Sequence, residues 1–133
     1  MKMTGEPIHV PTAEEWRAWL ERNHATTEDV WLMVYKKHSE TPSVTLQQAM
    51  QEAICFGWID SSMQPIDGER YALRFTPRRK TSNWSERNKG WAAKLIEEGR
   101  MTEAGLAKIE EAKQNGRWDN ARRSDSAGQG GRL

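Results

Sequence analysis

The chain has 133 residues with 20 Lys and Arg against 19 Asp and Glu, a length that holds one hydrophobic core and is short for two. Seven Trp in a chain that is 29% charged put large apolar areas on few side chains, which excludes disorder over most of its length. No run approaches the roughly 20 apolar residues that a bilayer crossing needs, and the N-terminus shows no secretory signal pattern, so membrane insertion is not expected and a cytoplasmic location is.

In chain order, Thr12-Ala13-Glu14-Glu15 has the form of a capping box, with a hydroxyl and a carboxylate three residues apart serving the free amides of a helix start. Trp16, Trp19 and Leu20 then form one apolar stripe, predicting a helix over 12–23. Residues 30–36 are apolar at both parities and rich in β-branched and aromatic side chains, which predicts a central strand covered on both faces. Thr45 to Gln48 repeats the cap pattern, Leu46, Ala49, Met50, Ala53 and Ile54 form a second stripe, and Gly57 suits a helix stop. The helix is predicted over 46–56. Ser61 to Ile66 and Tyr71 to Phe75 read as a hairpin about Asp67-Gly68, ended by Pro77. Ser82 or Ser85 caps a third helix, predicted over 85–98 with Trp84, Asn88, Trp91 and Leu95 on one face, and Thr102 caps a fourth over 103–115. From Asn120 the composition turns to Arg, Ser, Asp, Gly and Gln, the signature of a disordered tail.

The near-neutral total hides a dipole. Residues 70–89 carry seven basic side chains against one acid, Glu86, whereas residues 1–69 carry eleven acids against five bases. Equal and opposite excesses predict internal pairing, with Asp60 as the acid facing the arginines. Arginine also offers a planar fork that matches carboxylate or phosphate at two points, and a helix opening near Ser82 and Ser85 would set free amides and a positive dipole end beside it. The candidate ligand-binding residues are therefore Trp58 and Asp60 in the Gly57-Trp58-Ile59-Asp60 run, with Arg74, Arg78, Ser82, Trp84, Ser85 and Asn88. Trp84, set among polar and basic neighbours, is expected to expose its ring for stacking. Cys55 ends an apolar stripe and reads as a small buried hydrophobe. His9, His24 and His38 are scattered with no close Cys, so no metal site is expected, and no cofactor can be named.

Several strings in fixed order, Trp16-Arg17-Ala18-Trp19-Leu20, Val30-Trp31-Leu32, Tyr35-Lys36-Lys37, Cys55-Phe56-Gly57-Trp58-Ile59-Asp60, Arg74-Phe75-Thr76-Pro77-Arg78, Ser82-Asn83-Trp84-Ser85 with Asn88, Gly99-Arg100-Met101 and Gly116-Arg117-Trp118, resemble the YdeI/OmpD-associated family, also labelled bacteriocin-protection. The resemblance runs from about Val10 to about Asp119. It implies one domain within those limits, residues 10–119, after an N-terminal extension of residues 1–9 and before a tail of residues 120–133, and it points to no catalytic residue.

The expected fold class is α+β, a small antiparallel sheet of about three strands packed by four helices in a single domain. The favoured activity is binding of a small anionic or planar ligand between the GWID turn and the Arg74–Asn88 segment. A protein-interaction module or stress-related accessory protein is the alternative, with acidic and basic regions meeting a partner. Single-stranded nucleic acid ranks below both, since a pI near 7.9 and an acidic N-terminal half disfavour a long polyanion. Catalysis has the least support, because no acid/base pair, activated nucleophile, metal cluster or phosphate loop can be picked out.

Overall fold

Four helices begin where a side chain reaches back to a free backbone amide. The structure, a computed structural model, describes residues 5–119. Helix α1, Ala13–Asn23, opens with Thr12 in extended conformation, its hydroxyl accepting from Glu15 N at 3.2 Å. Helix α2, Leu46–Cys55, has the reciprocal box: Gln48 N donates to Thr45 Oγ1 at 3.1 Å and Thr45 N donates to Gln48 Oε1 at 3.0 Å. Ser85 caps α3, Glu86–Glu97, and Thr102 caps α4, Glu103–Gln114. A helix start leaves four amides without an intrahelical partner, and a cap residue that meets one or two of them is worth about 1 kcal/mol. Gly57 sits at φ 76° just beyond α2, a left-handed conformation that closes the helix and that a β-carbon would strain.

The three strands are β1, Val30–Tyr35, β2, Trp58–Pro65, and β3, Arg70–Pro77, in one antiparallel sheet of order β1-β3-β2. The class predicted from sequence, α+β with three antiparallel strands and four helices, is the observed one. Two details differ. The middle strand is β3, and β1 lies at an edge, where Ile8 pairs with Leu32 in a short parallel bridge through Ile8 N to Trp31 O and Met33 N to Ile8 O, both 2.8 Å. Arginine is part of why an edge strand carries apolar residues at both parities. Arg70 pairs across the ladder with Tyr35, and its guanidinium reaches Met33 Sδ and Tyr35 Oη at 3.4 Å each, so a charged side chain with an aliphatic stem covers the second face. The other difference is the start of β2, three residues before the expected Ser61, because the chain leaves Gly57 directly into pairing of Trp58 with Pro77. A bulge interrupts that ladder between Asp60 and Ser62.

The described chain divides into two compact units, one made of the residues up to Ala53 with Trp58–Pro77, the other of Ile54–Gly57 with the residues from Arg78. In the first, the fully buried Trp16 stacks on Trp19 at 5.5 Å and meets Phe75 of β3 at 5.1 Å, while Trp19 meets Trp58 of β2 edge-on at 6.0 Å. Helix α1 is thereby clamped to the sheet by aromatic rings, and removing a ring such as Trp16 would cost about 3–5 kcal/mol. Burial of its indole N–H is compensated by a 3.0 Å bond to Ala49 O in α2. Arg17 likewise reaches into α2, donating to the buried Glu52 at 2.9 Å. In the second unit, Thr102 donates through both N (3.2 Å) and Oγ1 (2.5 Å) to the Cys55 carbonyl. These two hydrogen bonds to one acceptor fix the start of α4 on the end of α2. The tail predicted from Asn120 and the first four residues of the N-terminal extension lie outside the described residues.

Candidate functional site

The eight residues singled out from sequence fall on both units, Trp58, Asp60 and Arg74 in the first and Arg78, Ser82, Trp84, Ser85 and Asn88 in the second. In the first unit Trp58 is 1% exposed and belongs to the aromatic core. Asp60 stands opposite Phe75 at the edge of the bulge. Arg74 donates from Nε to Asp29 Oδ2 at 3.0 Å, and Arg70 donates from Nε to Asp67 Oδ2 at 3.0 Å. The expected internal pairing of acidic and basic regions therefore exists, through Asp29 and Asp67. The Asp67 carboxylate also accepts from Glu69 N at 2.9 Å and Arg70 N at 3.1 Å. Donation by the Glu69 amide, then by the Arg70 side chain, holds that carboxyl below its ordinary range, and the same pair raises Arg70.

In the second unit the expectation for Trp84 is overturned. Its ring is 2% exposed, with the Arg78 guanidinium 3.8 Å from its centroid and the Trp118 ring edge-on at 5.0 Å. Neighbours in sequence made it look exposed, but its neighbours in space are a guanidinium plane and a second indole. Arg78 is itself buried, its N–H donating to Gly57 O at 2.8 Å and its Nη1 to Asn83 O at 3.2 Å. A guanidinium held flat on an indole is a packing element. It supports the segment that follows from beneath and offers no open fork to a ligand.

Above that support the backbone is tightly turned. Arg79 N donates to Ser82 Oγ at 2.8 Å and Ser82 N to Arg79 O at 3.0 Å, so Ser82 shapes the turn and Ser85 is the cap of α3, accepting from Asn88 N at 3.0 Å. Asn88 is buried, and its Oδ1 meets no hydrogen-bond donor among the described residues. The turn is stitched to the end of α4. Asn115 Nδ2 donates to Lys80 O at 2.7 Å, Arg117 Nη1 donates to Asn83 Oδ1 at 2.9 Å, and Arg117 N donates to Asn115 Oδ1 at 3.0 Å. Gly116, at φ 84°, turns the chain so that Trp118 N returns to Ala112 O at 3.0 Å.

Cations gather on this stitched surface. Arg79, Lys80 and Lys113 are exposed and Arg117 half-exposed, and among the described residues none of the four is ion-paired to a carboxylate. Lys89 Nζ and Lys113 Nζ lie 5.1 and 5.5 Å from the Trp118 ring centroid, and Lys89 also donates to Trp118 O at 3.1 Å. Lys89 is also 3.9 Å from Glu86, which is largely exposed. Asn83, Lys113, Asn115, Arg117 and Trp118 were not assigned a role from sequence. Their signal was the Gly116-Arg117-Trp118 string after a helix stop, and nothing local says which turn it joins, some 35 residues upstream. Among the described residues no cluster of His, Cys, Asp and Glu is placed to hold a metal ion, and no helix is long and apolar enough to cross a membrane.

Four helices and a three-stranded antiparallel sheet define a small α+β domain, and its second unit carries a cationic surface. Residues 8–108 match the family described as a domain of unknown function (DUF8412), and the chain belongs to that family. No curated protein and no solved structure matches the chain.

Proposed function

We propose that the protein is a binding module for a small anionic ligand, phosphate- or carboxylate-bearing, received in the second unit by Arg79, Lys80, Lys113 and Arg117. The observation that carries this reading is the stitching of the 79–83 turn to residues 115–117 by side chains, which holds cations from separate parts of the chain together with no carboxylate paired to them among the described residues. Like charges held side by side disfavour one another until an anion joins them. The Arg117 guanidinium, oriented by Asn83, keeps further N–H donors for two-point recognition. Arg78 and Trp84 serve beneath this surface as support, and the pairing of Arg70 and Arg74 with acids in the first unit leaves those residues out of the site. The resemblance to the YdeI/OmpD-associated family, which points to no catalytic residue, agrees with binding rather than chemistry.

Calorimetric titration of the protein with pyrophosphate and citrate at low salt tests the reading. Binding should weaken about tenfold in Arg117→Lys, which keeps the charge and loses the fork. Absence of binding to either anion, or equal affinity of Arg117→Lys and Lys80→Gln with the parent protein, would sink it.

A further inference from the structure

Trp118 is an unexpected residue to find beside cations that, Lys89 with its Glu86 apart, have no carboxylate partner among the described residues. The face of an indole is the negative side of its quadrupole, so a bare anion gains nothing from it and is repelled. A surface made only for an inorganic or simple carboxylate anion has no use for a ring there. Yet the ring is half-exposed and its backbone is tied at both ends, by Trp118 N to Ala112 O and by Lys89 Nζ to Trp118 O. Trp84 meets it edge-on at 5.0 Å and is itself covered by the Arg78 guanidinium, 3.8 Å from the Trp84 centroid. The ammonium groups of Lys89 and Lys113 are within reach of the same ring, and Arg117 precedes it in the chain.

We propose that the ligand carries a planar ring joined to its phosphate, as a nucleotide does, with Trp118 the platform on which the ring stacks and Lys89, Lys113 and Arg117 the groups that take the phosphate. This deepens the anion-binding reading and rests on it. Stacking on an indole favours any flat heteroaromatic ring, because every such ring has a π face. The ammonium groups leave the indole for the phosphate as the ligand settles, so that cation and ring exchange partners without a net loss of contacts. Arg79 and Lys80, on the turn stitched to Asn115 and Arg117, add charge that favours a second phosphate over a single one.

The test compares AMP with ribose 5-phosphate, which has the same phosphate and sugar and no base, and uses the parent protein, Trp118→Leu and Trp118→Phe. AMP should bind the parent about tenfold more tightly than ribose 5-phosphate, the effect of one stacked base. Trp118→Leu should erase that ratio, and Trp118→Phe should keep most of it. The comparison within the parent needs no variant, so a poorly folded Trp118→Leu does not remove the test. Equal affinity for AMP and ribose 5-phosphate overturns the platform and leaves the anion site standing, whereas binding of neither phosphate overturns both. A preference for AMP that survives in Trp118→Leu overturns the assignment to Trp118. Tight binding of a 12-residue single-stranded oligonucleotide, falling log-linearly with salt, with no binding of AMP, would replace the nucleotide by a polyanion.

Discussion

Two glycines in neighbouring helices should respond to the same substitution with opposite sign. A β-carbon built on Gly105 would lie 2.5 Å from the Cys55 carbonyl oxygen and 2.8 Å from that of Ile54, closer than side-chain carbons are found. The Cys55 carbonyl has little freedom to retreat, since it accepts from both Thr102 N and Thr102 Oγ1. Gly105→Ala therefore forces backbone against backbone, at the upper end of the about 1–3 kcal/mol that overpacking costs. The better helix propensity of Ala returns about 1 kcal/mol, leaving a net loss of about 2 kcal/mol. Gly90, in α3, has nothing within 4 Å of the same position and is exposed. There Gly90→Ala meets no clash and should stabilise by about 0.5–1 kcal/mol. Urea unfolding followed by circular dichroism reads both. With a slope near 2 kcal/mol/M the midpoint should fall by about 1 M in Gly105→Ala and rise by a few tenths in Gly90→Ala, slopes unchanged. A Gly105→Ala midpoint equal to or above the parent would show that α4 does not pack against the end of α2 as described.

Asp67 is expected to titrate below about pH 3.9, the ordinary aspartate value, because Glu69 N and Arg70 donate to its charged form. A depressed folded value means that its contribution is fully present above the unfolded value and is lost as pH falls through the folded one. Carboxyl chemical shifts followed by NMR should give a midpoint under 3.9, and Asp67→Asn should flatten that part of the acid limb; a midpoint at or above 3.9 contradicts the hydrogen bonds at the hairpin turn. Thr45→Ala, which breaks the reciprocal cap of α2, should destabilise by about 0.5–2 kcal/mol in the same urea assay, and a change within error would mean that the box is not formed in solution.

Interactions that close within four residues were legible in the sequence, and those that close over thirty were not. Thr12, Thr45, Ser85 and Thr102 each bond to an amide three positions on, so cap and helix announce each other in a single string. Gly57 and Gly116 mark stops by the same local logic. The choice of β3 over β1 as middle strand had no such signal, because a run buried at both parities reads alike whether a second strand or an arginine stem covers it. Asp29 meets Arg74 across 45 positions, and from the charge count alone any acid of the N-terminal half would have served. Trp84 shows the same limit from the opposite side: basic neighbours along the chain suggested exposure, and the residues that bury it include Trp118, 34 positions away. The basic run from Arg70 to Lys89 was legible as a count of charges, and the count does not say which cations are committed to folding.

The short bridge from Ile8 to β1 gives the sheet a guarded margin. Ile8 occupies Trp31 O and Met33 N, the backbone groups that an incoming strand from another molecule would use, while the opposite margin along β2 is broken by its bulge and ends at Pro65. Neither margin then offers a long straight row of free hydrogen-bonding groups, and open rows are the usual template for strand-to-strand aggregation. A protein begun at Val10 would keep the sheet's core and lose the guard on one side, so its solubility would fall before its stability did. The few residues ahead of the first helix thus act on what the molecule avoids meeting.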